Sequence, residues 1–587
     1  MENNKLRPMN QVLLYDLIRT AKGEIGCDTY IQGGTVINVY SGEYIKTNIA
    51  IKGKHIAYVG DSQSMVDDRT RIIPADNFYL CPGYIEPHAH PFQTYNPVTL
   101  VEKVMTLGTT TLICDNLFFF MSMDVETLLD LWKEFFDLPV KFLWSVRLDP
   151  QTQSEKRAAR FAPDQIETLL NTPLARQVGE LTDWPSLIAG KEQMLQNILL
   201  ALRLGKRVEG HAPGASWHTL NTLAAGGVSD CHESITGEEA LNRLRLGMYA
   251  TLRHSSLRPD LPAIIKDLIN LNSDLRRCMI TTDGVTPPSM KNGFTDYILR
   301  LAIETGVPAI EAYRMATLTP ATYYGLDDEL GGIAPGKLAD ILFLEQPLNP
   351  TPIKVMAEGK IVAEDSRPLI KLPKPSWSRY GISPMSSQAP AMKPENMAPP
   401  AVEDKYPVMT LVNPVITKRK DRKLPIKHGM IDIAQEKGLI YATLLNKEGN
   451  WVCNGILEGF ADNLAGMACS NTITGDIIVL GRDPLEMLHA TKRMFEIGGG
   501  VVLTENDDVI YELPLPLSGI MSNKPVDELI VHCSQLYKLL AERGHPHYDL
   551  LYTILFLSAT HLPELRLSPD GILSVKDKKI IIPVREI

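Results

Sequence analysis

From Cys81 to about Pro320 the sequence alternates short apolar runs with longer segments of helical periodicity, and this alternation restricts the fold more than any other feature. Residues 109–114, 141–146, 207–209 and 278–281 read as buried strands, while 191–204, 236–247 and 260–270 read as helices. Strand and helix in regular alternation imply parallel strands joined by crossover helices. A stretch of about 240 residues is the usual size of a closed eight-stranded barrel. The predicted fold is therefore α/β, a (β/α)₈ TIM-like barrel.

The flanks have a different texture. Residues 28–61 read as four strands (29–31, 35–40, 49–51 and 55–59) separated by glycine turns. A short helix is expected before them, because Val12, Leu13, Leu14, Leu17 and Ile18 share one face. Beyond the barrel, 332–344, 353–356 and 359–362 return to strand-like sequence and could complete the same small sheet. Residues 371–405 are rich in Pro, Ser, Met and Lys and read as a linker or strap. From 406 the chain mixes strands with helices at 485–496 and 525–542. The expected division is a β-subdomain from 1–80 and 329–370, a barrel at 81–328, a linker at 371–405 and an α+β C-terminal domain at 406–587.

Composition narrows the function. A formal charge of −10 argues against binding nucleic acid or a membrane surface and favours a small-molecule substrate. No run approaches the ~20 apolar residues that span a bilayer, and the N-terminus lacks the apolar core of a signal peptide. The 8 cysteines contain no Cys-x-x-Cys pair, so neither a disulfide framework nor a thiolate zinc site is expected. A cytoplasmic location follows as the expectation. Leu117 to Met123 is too short to span and is expected as a buried strand-to-loop segment, with Phe118-Phe-Phe120 as pocket wall or core. The charge run Lys418-Arg-Lys-Asp-Arg-Lys423 reads as a solvated loop.

The chemistry-bearing residues fall at the ends of the predicted strands. His88 and His90 close the run that starts at Cys81-Pro-Gly, and i,i+2 spacing on a strand sends both imidazoles to one side. At the C-terminal end of the first barrel strand that side is the barrel mouth, so the pair forms a metal half-site. His211 follows the strand at 207, His232 follows Gly226-Gly227, and Asp283 ends the strand at 278. Any one of these alone reads as a hydrogen-bonded structural residue. The ordered set His-x-His, His, His, Asp reads as a metal site.

The chain resembles the bacterial adenine deaminases of the amidohydrolase superfamily. The resemblance is carried by Gly108-Thr-Thr-Thr, Gly210-His-Ala-Pro-Gly214, Glu238-Glu-Ala-Leu-Asn-Arg-Leu-Arg-Leu-Gly-Met248 and Met315-Ala-Thr. It continues in Gly332-Ile-Ala-Pro-Gly336, Glu512-Leu-Pro-Leu-Pro-Leu-Ser-Gly519 and Pro563-Glu-Leu-Arg-Leu567. It implies a metal-dependent hydrolase that turns adenine and water into hypoxanthine and ammonia, with manganese as the metal, or iron or zinc, as one or two ions. It also implies Glu180 as a carboxylate between two ions, and a homo-oligomer. The implied ligands are His88, His90, Glu180, His211, His232 and Asp283. Asp283 is the expected proton acceptor, and His232 is a ligand or an anchor for the attacked centre. Glu233 orients His232 or protonates a ring nitrogen, or is an ordinary helix N-terminal glutamate.

Several positions depart from the family. Where it has His-Glu after the Gly-Thr-Thr-Thr strand, this chain has Leu117-Phe118; Phe92-Gln-Thr replaces Glu-Ser-Ser, and Asp283-Gly284 replaces Asp-Asp. Phe92, Leu117 and Phe118 are therefore candidate substrate-pocket residues. Lost polar groups shift selectivity steeply, so two other readings stand beside adenine: another nitrogen heterocycle or cyclic amide, and a catalytically silent ligand-binding paralogue.

Overall fold

Eight short parallel strands lie side by side in chain order: Tyr84–Ala89, Thr109–Asp115, Lys141–Val146, Ala175–Leu181, Arg207–Gly210, Asp230–Cys231, Tyr249–Arg253 and Cys278–Thr281. A parallel bridge between Ala89 and Asp283 brings the last strand back to the first. This is the barrel expected from the sequence. The computed structural model describes residues 6–152, 159–401 and 405–587. The start of the expected first segment (1–5) and the end of the expected linker (402–404) lie outside the described residues.

The strands are buried almost without interruption because helices cover their outer face while side chains fill the inside. One crossover shows how the sequence builds this layer. Asp124 caps the helix Val125–Phe136, its side chain accepting from Thr127 N, and Val125, Leu128, Leu131, Trp132 and Phe135 face inward. The Trp132 indole stacks on Trp144 of the third strand, with centroids 5.1 Å apart and an interplanar angle of 7°.

A mixed sheet takes strands from both flanks of the barrel. Tyr79–Pro82 pairs in parallel with Thr29–Asn38 on one side and antiparallel with Ile341–Leu344 on the other. Residues 83 onward then run directly into the strand that carries His88. Gly83 is required at this junction, since a Cβ there would lie 2.1 Å from Thr110 Oγ1.

Three local expectations are corrected. The helix Gln11–Ala21 forms, capped by Asn10, but Val12, Leu14 and Ile18 are 71%, 50% and 49% exposed and only Leu17 and Thr20 are buried. It rests on the sheet by a single i,i+3 line rather than by the wide face that its periodicity suggests. Residues 117–122 form a helix, Leu117–Ser122, instead of a strand-to-loop segment; Asp115 Oδ1 accepts from Leu117 N at 2.5 Å and starts its first turn. The charged run is a strand, Thr417–Arg422, paired with Tyr406–Leu411 at the end of its sheet, with Thr417 also bonded through its backbone to Pro563 and Glu564. Charged side chains on an outer strand discourage further pairing.

Residues 371–401 cross the molecule as an ordered strap in which Trp377, Tyr380, Ile382 and Met397 are buried. Beyond it a second sheet, in the order Thr417–Arg422, Tyr406–Leu411, Trp451–Glu458, Leu439–Leu445, Ile477–Gly481, Gly466–Cys469, Gly500–Glu505 and Asp508–Pro514, packs with the helices Pro484–Glu496 and Val526–Glu542. A helix, Leu550–Phe556, leads to a three-stranded sheet made of Leu565–Ser568, Gly571–Ser574 and Lys579–Pro583. Asn96 Nδ2 donates to Ser522 O at 2.8 Å, and Ser522 N donates to Thr94 O at 2.7 Å, joining this region to the barrel mouth. No helix among the described residues is long and apolar enough to cross a membrane.

Candidate metal centre and active site

The strand ends converge. His88 and His90 bring their Nε2 atoms to 3.1 Å from each other, and Asp283 Oδ1 lies 3.1 Å from His90 Nε2. Glu180, on the fourth strand, sets Oε2 at 2.5 Å from His211 Nδ1 and 3.1 Å from His232 Nε2. Glu180 is shared by two triads, His88/His90/Glu180 and Glu180/His211/His232, and a third is His88/Glu209/His232, each with its donor atoms within 4.8 Å of one another.

Behind this cluster stands Glu209, which the sequence reading overlooked. Its Oε1 lies 2.7 Å from His88 Nδ1 and 3.2 Å from His232 Nδ1. Burial opposes ionisation of Glu209, but the two imidazoles hold its carboxyl well below the usual range. A carboxylate only accepts, so His232 Nδ1 donates to it while His88 Nδ1 faces it as an ion-pair partner, and both Nε2 atoms point to the cluster. His90 Nδ1 faces Asp115 Oδ2 at 3.5 Å, which turns its Nε2 the same way. Burial lowers His211 to about 4, leaving a neutral ring. Ring nitrogens and carboxylate oxygens from several strand ends thus crowd within a few ångströms of one point, the arrangement that a cation's donor set requires. The set is nitrogen and oxygen only, which fits a divalent first-row metal.

The remaining groups are fixed from outside. Arg147, fully buried, donates from Nη1 to Glu180 O at 2.8 Å and pairs with Glu180 Oε1 at 2.9 Å, and Gln151 Nε2 donates to Oε1 at 3.0 Å. Arg253 bridges Glu233 Oε1 and Asp283 Oδ2, the latter at 2.9 Å, and Arg258 reaches Glu233 Oε2 at 2.9 Å. Burial disfavours the charged forms of Glu233 and Asp283. The guanidiniums at Glu233, and His88, His90 and Arg253 at Asp283, nonetheless keep both carboxyls well below the usual range. Glu233 precedes Thr236, the cap of the next helix, so it is not a helix N-terminal glutamate. Its Oε1 is 3.7 Å from His232 Nε2, too far to orient that ring by a hydrogen bond.

A cavity of about 1890 Å³ opens above the cluster. Phe92, Leu117 and Phe118 line it as expected, with the Phe92 and Phe118 rings 5.8 Å apart. The opposite wall, which the sequence reading did not anticipate, comes from the C-terminal region: Tyr552, Leu555, Phe556 and His561, together with strap residues Ser383 to Met385. His561 lies edge-on to His211 at a centroid distance of 6.3 Å. Phe119 and Phe120 are buried in the core behind.

The barrel defines the class, and residues 79–362 match the amidohydrolase family. Residues 414–579 match the adenine deaminase C-terminal domain. A Halalkalibacterium halodurans protein provisionally named an adenine deaminase is 37% identical over 569 residues, covering 96% of this chain and 97% of that one. A Bacillus cereus protein with the same provisional name is 38% identical, covering 97% and 96%. An adenine deaminase from Moorella thermoacetica is 31% identical and covers 98% of both chains. The chain belongs to the adenine deaminase family.

Proposed function

We propose that this protein is a metal-dependent hydrolytic deaminase that converts adenine and water into hypoxanthine and ammonia. The observation that carries the reading is end-to-end similarity to adenine deaminases in a chain whose barrel mouth gathers two histidine–carboxylate triads around Glu180. His88, His90, Glu180, His211, His232 and Asp283 would hold the metal, with manganese as the proposed ion and iron or zinc as substitutes, at one or two positions. When bound, a divalent cation supplies Lewis acidity that draws the pKa of water at the site towards neutrality.

The chain's own residues do the rest. Asp283 Oδ1 accepts the proton of the attacking water and passes it to the exocyclic nitrogen as ammonia leaves. Its companion Oδ2 is held by Arg253, so the carboxylate keeps one orientation throughout. His232, with Nδ1 fixed on Glu209, anchors the attacked carbon from the other side. Glu233, kept ionised by Arg253 and Arg258, accepts a substrate N–H rather than donating a proton. Phe92 and Phe118 offer flat apolar surface to a planar ring.

A second heterocyclic substrate is favoured by one observation. The cavity of about 1890 Å³ exceeds the several hundred Å³ typical of small-ligand sites, and its lining at Leu117 and Phe118 is apolar. The silent-paralogue reading has less support, because a dead site has no physical reason to keep six converging donors. The eight cysteines are buried free thiols, which suits a reducing, cytoplasmic setting, and we propose a homo-oligomer. Ammonia release from adenine by manganese-loaded protein tests the main reading. Turnover supports it, and silence from protein shown to carry metal overturns it in favour of another heterocycle.

A further inference from the structure

The residue after Asp283 is Gly284, and the space where its side chain would lie is already taken. A Cβ on Gly284 would sit 1.7 Å from the Tyr552 hydroxyl oxygen and 3.0 Å from His90 Cδ2. A phenol from the far end of the chain therefore reaches the spot beside Asp283 and His90 where any other residue at 284 would project. Tyr552 also lines the cavity.

The helix that carries it is firmly seated. Asp549 caps Leu550–Phe556, accepting from Tyr552 N at 3.2 Å, and the same carboxylate accepts from Tyr537 Oη at 3.0 Å and from Thr286 Oγ1 at 3.4 Å. Thr286 lies three residues past Asp283, so the cap fastens this helix to the loop that leaves the metal cluster. Phe556, one turn on, stacks against Tyr552 at 5.3 Å and 20°, and His561 meets the Phe556 ring edge-on at 6.2 Å. Phe92 and Phe118 line the same cavity. Aromatic rings from both ends of the chain thus line one cavity, and the Tyr552 hydroxyl lies beside Asp283 and His90.

We infer that Tyr552 is a specificity-determining residue: its hydroxyl hydrogen-bonds to the reacting edge of a planar nitrogen heterocycle seated between the barrel's aromatic wall and that of the C-terminal domain. The inference rests on the proposed deaminase reading for its substrate class, and it depends on Gly284 leaving the approach open. A phenol ionises near pH 10, so at neutral pH the group donates to a ring nitrogen or exocyclic oxygen.

The test uses metal-loaded protein and a substitution cycle. Tyr552→Phe keeps the ring and its stacking and removes only the hydroxyl, so the fold and metal content should be unchanged. Its kcat/KM for adenine should fall roughly 10- to 100-fold, the usual effect of losing one substrate hydrogen bond in a closed site. Gly284→Ala should be at least as damaging alone and less damaging in the Tyr552→Phe background, because removing the hydroxyl clears the 1.7 Å approach while the 3.0 Å approach to His90 Cδ2 stays. Adenine analogues with one ring nitrogen replaced by CH should lose activity with the wild type but not with Tyr552→Phe, for the nitrogen that Tyr552 contacts. Equal adenine turnover by Tyr552→Phe and the wild type overturns the inference and leaves the adenine reading standing. If adenine is inert, thermal shifts with a panel of purines and pyrimidines decide. A heterocycle that stabilises the wild type but not Tyr552→Phe upholds the inference without adenine. A panel that stabilises neither, or both equally, overturns it.

Discussion

Glu209 and His88 meet at 2.7 Å, Oε1 to Nδ1, and the same oxygen reaches His232 Nδ1 at 3.2 Å, so one buried carboxylate sets the tautomer of two rings in the metal cluster. The other oxygen, Oε2, accepts from Gln177 Nε2 at 2.7 Å. A neutral amide at 209 cannot accept from all three donors. Glu209→Gln is expected to weaken metal binding by about 10- to 100-fold, read by competition with a coloured chelator, with an unchanged circular dichroism spectrum. Unaltered metal affinity would show that the two rings are oriented by their strands alone.

Loss of metal should register in stability as well as in rate. The donors converge only in the folded chain, so an ion bound there stabilises the native state; at 100 times Kd the gain is about 2.7 kcal/mol. Dialysis against chelator is expected to abolish ammonia release and lower the melting temperature. Added manganese should restore both. An unchanged melting temperature after metal removal, verified by elemental analysis, would contradict the assigned donor set.

The acid side of the stability profile has a source away from the metal. His545 is buried with Nδ1 donating to Phe460 O at 2.7 Å, and burial lowers it to about 4; burial also brings His254 to about 4. An unfolded histidine titrates near 6.5. Between those values the unfolded chain binds more protons than the folded one, so stability is full above about pH 6.5 and falls as pH drops towards 4. Each such histidine contributes a slope of up to about 1.4 kcal/mol per pH unit. Urea titrations of metal-free protein from pH 7 to 4.5 should show this fall, and His545→Gln should reduce the slope by about one proton. An unaltered slope would rule out His545 as a contributor.

Trp132 supplies a core test. It is fully buried and stacked on Trp144 of the third barrel strand. Trp132→Ala should destabilise the protein by about 3–5 kcal/mol, measured by denaturant unfolding. A loss below about 1 kcal/mol would mean that the helix collapses into the space.

Much of this architecture is legible in the sequence because a parallel barrel leaves a strong local signal. Strands 141–146 and 278–281 have the bounds that their apolar runs suggest, and the helices at 192–203, 237–245 and 261–270 lie within those expected from periodicity. The first turn of Leu117–Ser122 is hidden because its cap is the Asp115 carboxylate at the end of a strand, which does not resemble an ordinary N-cap. The charged strand Thr417–Arg422 escapes because an outer edge tolerates the charges that elsewhere signal a loop. At the site, the ligand candidates are visible as polar residues ending apolar runs. Glu209 had a comparable signal, an acidic residue two places before His211 within a short buried strand, where a charge has to be paired. Tyr552, Phe556 and His561 had none, because their role depends on a contact between segments more than 250 positions apart, as in the Gly284–Tyr552 approach. Glu233 is visible in the sequence only as the neighbour of His232 and of a helix start, whereas Arg253 and Arg258, which hold its charge, come from distant positions.

All six converging donors lie between positions 88 and 283, whereas one wall of the cavity is built from positions 552 to 561. The converging donors thus come from one stretch of the gene, while the cavity wall is written in two. Mutations in the second stretch can change which molecules the protein accepts without touching a single donor, so descendants of such a chain can diverge in diet while inheriting the same reaction. Relatives with the same converging donors need not share a substrate, and the places to compare them are the last forty residues together with positions 92, 117 and 118.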